Sequence, residues 1–485
     1  MKLLSNKEYL KKCILAIACF LAFILVFYWA SGTRLHYEEW QSQKTTPQEI
    51  AAVINDGVKV EFDFVEQVDS LEQVSLYVGT FGRTNEGELI VALSEPDGTK
   101  IKEFVEPLAS FTDYDYHVFN LDSPYPMSKD KPIHMSIESK GVPAHQGVSL
   151  WFGTSINTGR YIIPDKNRST FTVNGETVQG KVSYYIAGRN YFWIGKVFWP
   201  MAIVAFVFFS AYVVSYAERQ LRGKESADIR AFWIFTRYKF LIKQLVGRDF
   251  KRKYKRSVLG VGWSFLNPLL TMLVQYFVFS TLFKSSIDHF IVYLMTGIVI
   301  MGFFSESIGL GITSIIDNAH LINKVFMPKG IYPLSRVLSS LVNLLFTLVP
   351  LLVVTIASGL PVTKAMLLMP IGLTFLMLFC YGMVLILSTM MTLFNDTLFL
   401  WNVVSTLWMY LTPIFYPIDI IPYKFRGIYK LNPMYQYITF FRTVLINGQA
   451  PTPRNYLGCI LSAVVILMIG MYVFRKNEDK FILYL

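Results

Sequence analysis

Stretches of about 20 apolar residues, the length a helix needs to cross roughly 30 Å of hydrocarbon, recur along this sequence and leave few soluble folds open to it. They fall near 13–30, 194–217, 258–283, 290–312, 331–358, 365–393, 397–415 and 455–474. With 53% hydrophobic and only 16% charged residues among 485, most of the chain is expected in lipid. The expected fold class is membrane α-helical, with about eight transmembrane helices, plus an all-β domain inserted after the first.

Charge orients the chain, because cytoplasmic flanks retain Lys and Arg. Lys2, Lys7, Lys11 and Lys12 precede the first span, and Arg475 and Lys476 close the last. From Glu218 to Ser257 there are 13 Lys/Arg against 4 Asp/Glu, a basic neck of net +9. Between Gly32 and Trp193 the balance is 14 against 22, net −8, as suits a translocated region. The expected protein is therefore multi-pass in the cytoplasmic (inner) membrane, with both termini cytoplasmic and residues about 32–193 outside. The first span, basic at its start and ending in Ala30-Ser31-Gly32, reads as a retained anchor, with a cleaved signal peptide as the alternative. Cys13, Cys19, Cys380 and Cys459 all fall in proposed spans, so no disulfide is expected in the outer segment.

Within that segment the runs 58–64, 73–79, 88–94, 132–138 and 147–153 alternate apolar and polar residues, and Asn85-Glu86-Gly87 and Pro96-Asp97-Gly98 supply turns. Several short strands at this spacing predict an antiparallel, jelly-roll-like β-sandwich. Alternation in 147–153 puts Val148, Leu150 and Phe152 on one face and Ser149 and Trp151 on the other. If the first set is core, Trp151 is exposed. Tyr77 and Trp151, with Tyr114 and Tyr116, are thus candidate outer glycan contacts, since flat sugar faces stack on rings.

The boundaries follow: an N-tail and first helix (1–31), an outer domain (32–193), a second helix (194–217), a basic neck (218–257) and a six-helix domain (258–485). In the neck, Ile234, Tyr238, Leu241, Ile242 and Leu245 share one helical face while Arg230, Arg237, Lys239 and Lys243 supply positive charge elsewhere, which predicts an amphipathic helix in the membrane interface.

Three segments carry a resemblance: LVGRDFKRKYKRSVLGVGWSFLNPLL (245–270), LINKVFMPKGIYPLS (321–335) and LTPIFYPIDIIPYKFRGIYKLNPMYQYITFFR (411–442). In this order they resemble the permease subunits of ABC-type polysaccharide exporters, which move O-antigen, capsule and teichoic acid chains. The resemblance covers roughly the second half; the two spans and sandwich before it are additions to the family's usual chain.

The resemblance implies a transport subunit and not an enzyme: two copies of this chain working with two ATPase subunits to export a lipid-linked polysaccharide or polyol-phosphate polymer. No G-x-x-x-x-G-K-[ST] phosphate loop occurs in the sequence, so ATP and Mg are expected on the partner and no cofactor or metal on this chain. Membrane lipids are expected partners; nucleic acid is not. The implied ATPase-coupling loop holds Asn323, Lys324, Val325, Phe326, Pro328 and Lys329. Exposed apolar residues such as Phe326 and Met327 there need something to bury against. The implied interfacial helix and elbow hold Arg248, Asp249, Lys251, Arg252, Tyr254 and Lys255.

The Pro-rich stretch within 413–445 is expected to be re-entrant, since irregular backbone survives at membrane depth only under cover of protein or a water-filled path. Lys424, Arg426, Lys430 and Arg442 then face outward, toward carrier phosphates or lipid headgroups. Candidate path residues are the aromatics Tyr276, Phe303, Phe304, Trp401, Trp408, Tyr410 and Tyr416, with Glu306, the one acid within the proposed spans. Two other readings remain: a membrane glycosyltransferase, for which Asp113-Tyr114-Asp115 supplies a D-x-D pattern, and a membrane-anchored glycan-binding protein.

Overall fold

A computed structural model describes residues 6–42, 44–45, 47–65, 68–128, 131–153, 155–157, 162–164, 169–222, 227–255, 257–283, 289–322 and 327–484. The chain divides into a helical unit, 1–35 with 196–485, and a β unit, 36–195.

Among the described residues the β unit is a sandwich of two large antiparallel sheets, with a small third sheet of Ile162–Pro164, Ser155–Asn157 and Lys44–Thr45. One orders the strands Tyr37–Gln41, Tyr184–Tyr191, Ser70–Gly79, Val148–Gly153 and Lys181–Val182, with Asp115–Pro126 paired to Ser70–Gly79 and Glu49–Ile54 to Val148–Gly153. The other runs Glu176–Gln179, Thr170–Val173, Val60–Phe64, Ile133–Lys140, Glu88–Ser94 and Lys100–Pro107. Alternation supplies the core: Val74, Leu76 and Val78 from the first sheet are buried in one cluster with Phe62, Val91 and Met135 from the second. At Gly188 the ladder shifts register, and a Cβ there would lie 1.8 Å from the Ser70 carbonyl oxygen, so only glycine fits.

The helical unit begins with α1 (Asn6–Ser31) and α2 (Trp193–Leu221). Stacked rings join them, Phe20 on Phe209 at 4.2 Å and Phe27 on Phe198 at 6.1 Å. Next come α3 (Ala227–Tyr254), α4 (Gly262–Phe283), α5 (Phe290–Gly311), the single turn α6 (Ala319–Ile322), α7 (Ile331–Ala357) and α8 (Met369–Leu393). The shorter α9 (Thr397–Leu411), α10 (Tyr423–Leu431) and α11 (Pro433–Leu445) lead to α12 (Pro453–Asn477) and a last turn, α13 (Phe481–Tyr484).

Six stretches among the described residues are long and apolar enough to cross a membrane: Lys11–Leu35, Trp193–Gln220, Phe290–Gly311, Ile331–Ala357, Lys364–Leu393 and Pro453–Lys480. The other two expected spans are helical as well. α4 has 22 residues, while α9 has 15 and falls short of the roughly 20 that a perpendicular crossing takes. This is a multi-pass membrane protein with an all-β insertion.

α8 and α12 pack backbone to backbone. A Cβ on Gly382 would lie 2.7 Å from the backbone of Ile466, and one on Gly470 would lie 2.4 Å from the Gly382 carbonyl oxygen. Small residues at such crossings let helix backbones touch where lipid offers no hydrophobic drive to associate.

The apolar stripe of α3 does not simply rest on lipid. Ile242 and Leu245 are buried with Ile331, Tyr332, Phe474 and Phe481, and Tyr238 and Leu241 pack against the same cluster. Ile234 has no described side-chain environment.

Candidate functional site

Three polar or aromatic constellations stand out in the helical unit. The first is a cavity of about 490 Å³ between α3, α4, α5 and α7, lined among others by Lys253, Tyr254, Trp263, Asn267, Phe303, Glu306 and Asn343. Its wall is a hydrogen-bonded chain. Lys253 Nζ donates to Glu306 Oε1 at 2.8 Å and Asn343 Nδ2 donates to the same oxygen at 2.5 Å. Tyr254 bonds Asn343 Oδ1 at 3.1 Å and also meets the Ser264 hydroxyl. The acid singled out in sequence, Glu306, is thus paired, but its side chain keeps 27% exposure and faces open volume. A half-wet cavity with cationic, anionic, amide and aromatic groups suits a hydroxyl-rich ligand, because each group can exchange its present partner for a sugar hydroxyl.

The second constellation lies at the elbow. Arg336 on α7, almost wholly buried, bridges two carboxylates: Asp249 Oδ2 of α3 at 3.0 Å and Asp317 Oδ2 at 2.9 Å. Arg248 binds Asp249 Oδ1 at 3.1 Å and reaches Asn318 Oδ1 at 3.3 Å. One guanidinium therefore ties α3 and α7 to the segment just ahead of the expected coupling loop. Its planar fork presents donors to both acids in a fixed geometry, which the single ammonium of a lysine does not. Lys251, Arg252 and Lys255 are exposed, and with Lys253 they put cations at the C-terminal end of α3, where the helix dipole favours them.

Of the expected coupling loop, Asn323, Lys324, Val325 and Phe326 lie outside the described residues. Pro328 is exposed, whereas Lys329 donates to the Glu478 carbonyl at 2.5 Å and sits over the Phe481 ring. Met327 packs against the cluster around Tyr332 and Phe474.

The third constellation corrects the expected path. Phe304 is fully buried and Trp401 8% exposed; Phe304 packs on Trp401, Trp408 and Phe379, and Trp408 on Trp401 and Phe379, at ring separations of 5.3 to 6.4 Å. Trp408 also spends its indole N–H on Asn432 Oδ1 at 2.9 Å. These rings are core, since filling the space between α5, α8 and α9 gains more than leaving large aromatics wet. Tyr276 packs on Phe290, and Tyr416 donates to the Tyr410 carbonyl at 2.7 Å. Of the aromatics proposed for the path, Phe303 lines the cavity with Glu306, while Tyr410 is 59% exposed elsewhere.

Arg442 is a second correction. Buried on α11, it donates to the carbonyls of Pro413 at 2.8 Å, Ile414 at 3.0 Å and Tyr293 at 3.2 Å, and stacks on the Tyr293 ring. It holds the broken backbone after α9 and has no face left for a phosphate; Arg426 likewise donates to the Ile421 carbonyl.

In the β unit, both Asp113 oxygens accept backbone N–H groups, from Thr80 at 2.6 Å and Gly82 at 2.8 Å. The D-x-D pattern is a loop clasp. No group of three metal-ligating side chains occurs among the described residues.

The family model for ABC-2 type transporters matches residues 241–446, which contain the cavity, the elbow and the broken segment. The match covers a little under half of the chain, and that stretch is similar to ABC-2 transporter membrane domains. Known proteins are similar to half of the chain as well. The O-antigen export system permease protein RfbA of Myxococcus xanthus is 29% identical over 246 residues, half of this chain and 95% of its own length. RfbA proteins of Klebsiella pneumoniae are 29% identical over 243 residues, again half of this chain and 93% of theirs. The β unit lies outside the residues that the family model matches.

Proposed function

We propose that the chain is the membrane subunit of an ATP-driven exporter that carries a lipid-linked polysaccharide or polyol-phosphate polymer across the cytoplasmic membrane. The observation that carries this is the alignment of almost the entire length of O-antigen export permeases with half of this chain. The absence of a phosphate loop from the sequence calls for a separate ATPase, with ATP and Mg bound there. Two permease copies with two ATPase copies follow from the family resemblance. The loop around Asn323–Lys329 is the contact, and the Asp249–Arg336–Asp317 bridge passes its displacement to α3 and α7. Lys/Arg bias puts both termini and the elbow in the cytoplasm and the β unit outside. The broken segment from Pro413 to Leu445 is then re-entrant from the outer side.

Glu306, Lys253 and Phe303 are the path residues best supported by geometry, because the cavity gives them room to meet a sugar chain. Deleting the gene tests the whole reading. Polymer should accumulate inside the cell on its lipid carrier and disappear from the surface, while synthesis continues. Normal surface polymer in the deletion strain contradicts it.

A further inference from the structure

The β unit carries a ring cluster that its core does not use. On the side of the seven-stranded sheet opposite Val74, Leu76 and Val78, four aromatics follow one another across adjacent strands. Tyr114 meets Trp151 at 5.9 Å, Trp151 meets Tyr77 at 6.2 Å and Tyr77 meets Tyr116 at 5.1 Å, all three edge to face. Tyr77, Trp151 and Tyr116 are half-buried, and Tyr114 is 48% exposed. Lys44 lies 4.8 Å above the Tyr116 ring.

Two features set this cluster apart from surface packing. Its rings are fixed: Trp151 donates its indole N–H to Ser149 Oγ at 3.0 Å, and Ser149 donates to the Gly79 carbonyl at 3.0 Å. Its presentation is strained as well. Tyr114 and nearby Phe81, both exposed aromatics, adopt left-handed backbone at φ 52° and 57°, a conformation costly for bulky side chains. Asp113, just before Tyr114, holds the turn through Thr80 and Gly82. Gly79 makes the space: a Cβ there would lie 3.0 Å from the Tyr114 ring and 2.6 Å from Ser149 Oγ. Strain kept to push aromatic rings outward calls for a use outside the fold.

We propose that Tyr114, Trp151, Tyr77 and Tyr116 form a stacking platform for a carbohydrate chain, which on the export reading is the transported polymer. A pyranose ring offers an apolar C–H face that stacks on an aromatic ring, with hydroxyls at its rim for phenol, amine and carboxylate groups. The Tyr O–H groups, Lys44 and exposed Asp115 provide that rim. Burial raises the Tyr77 phenol and pushes Tyr116 up to about 12, so both remain neutral donors at physiological pH. Pre-organised rings lose little entropy on contact, the condition under which weak sugar stacking yields measurable affinity.

The test uses the full chain in lipid nanodiscs and, as probe, polysaccharide released by mild acid from the envelope of the cell that makes this protein. Saturation-transfer NMR should show magnetisation passing from protein to sugar ring protons. Tyr114→Gly relieves the left-handed strain while removing the ring, so affinity should fall at least tenfold with no lowering of the melting temperature. Trp151→Phe should retain part of the binding. Unchanged affinity in Tyr114→Gly and in Trp151→Ala overturns the proposal. So does a cross-link showing that a protein, or a second copy, covers Ile50 and Val53 beside Trp151, both exposed here. Failure of the two readings is separable. Export by the Tyr114→Gly cell without polysaccharide binding by the wild type removes the platform and leaves the permease; binding without export does the reverse.

Discussion

At the scale of single residues, buried charge decides more than exposed charge. Arg336 has two carboxylates in contact and almost no solvent, so removing it leaves the buried Asp249 with only the more exposed Arg248 as counter-ion. Arg336→Met should destabilise the domain by about 3–5 kcal/mol, read by thermal melting in detergent. Arg336→Lys should recover only part of this, because an ammonium cannot span both acids in one plane. A full rescue by lysine speaks against the bridge. Lys253 and Glu306, partly exposed, should behave otherwise: Glu306→Gln is expected to cost less than about 1 kcal/mol of stability yet to slow export several-fold in cells. Loss of stability without loss of export places Glu306 among structural groups.

Sequence patterns gave the type of these residues more readily than their partners. Glu306 is conspicuous as an acid in an apolar run, but that Lys253 and Asn343 meet it follows only from how α3, α5 and α7 pack. Arg442 looked available for phosphates because a list of basic residues near a membrane edge does not show which one turns inward to unpaired carbonyls.

At the scale of elements, apolar runs and turn chemistry located what they should. The expected strands at 58–64, 73–79, 88–94, 132–138 and 147–153 correspond to Val60–Phe64, Ser70–Gly79, Glu88–Ser94, Ile133–Lys140 and Val148–Gly153. Lys100–Pro107, Asp115–Pro126 and Tyr184–Tyr191 escaped notice, since prolines, charges and Gly188 interrupt their alternation and tertiary pairing overrides the local signal. Trp151 proved half-buried, because a register shift between Leu150 and Trp151 and the neighbouring rings cover part of it. Helix contacts were less legible: aromatic runs in α5 and α9 look alike whether they face a path or each other. The α8–α12 crossing does carry a sequence trace, in Gly382 and Gly470. Gly470→Val should overpack that crossing by about 1–3 kcal/mol and lower the yield of monodisperse protein in size-exclusion chromatography. Wild-type behaviour of Gly470→Val is incompatible with the described approach of the two helices.

At the scale of the whole molecule, a stretch similar to ABC-2 type transporters is joined to two further helices and a β-sandwich that the family match does not reach. On the export reading proposed above, a sequence without a phosphate loop needs a second component to supply energy. The most direct measurement is therefore reconstitution. The chain, placed in proteoliposomes with a separately purified ABC ATPase and loaded with lipid-linked polymer, should move the glycan to the opposite face when ATP is supplied. The chain alone should neither hydrolyse ATP nor move polymer. Movement of polymer without nucleotide, or ATP turnover by the chain alone, contradicts the account.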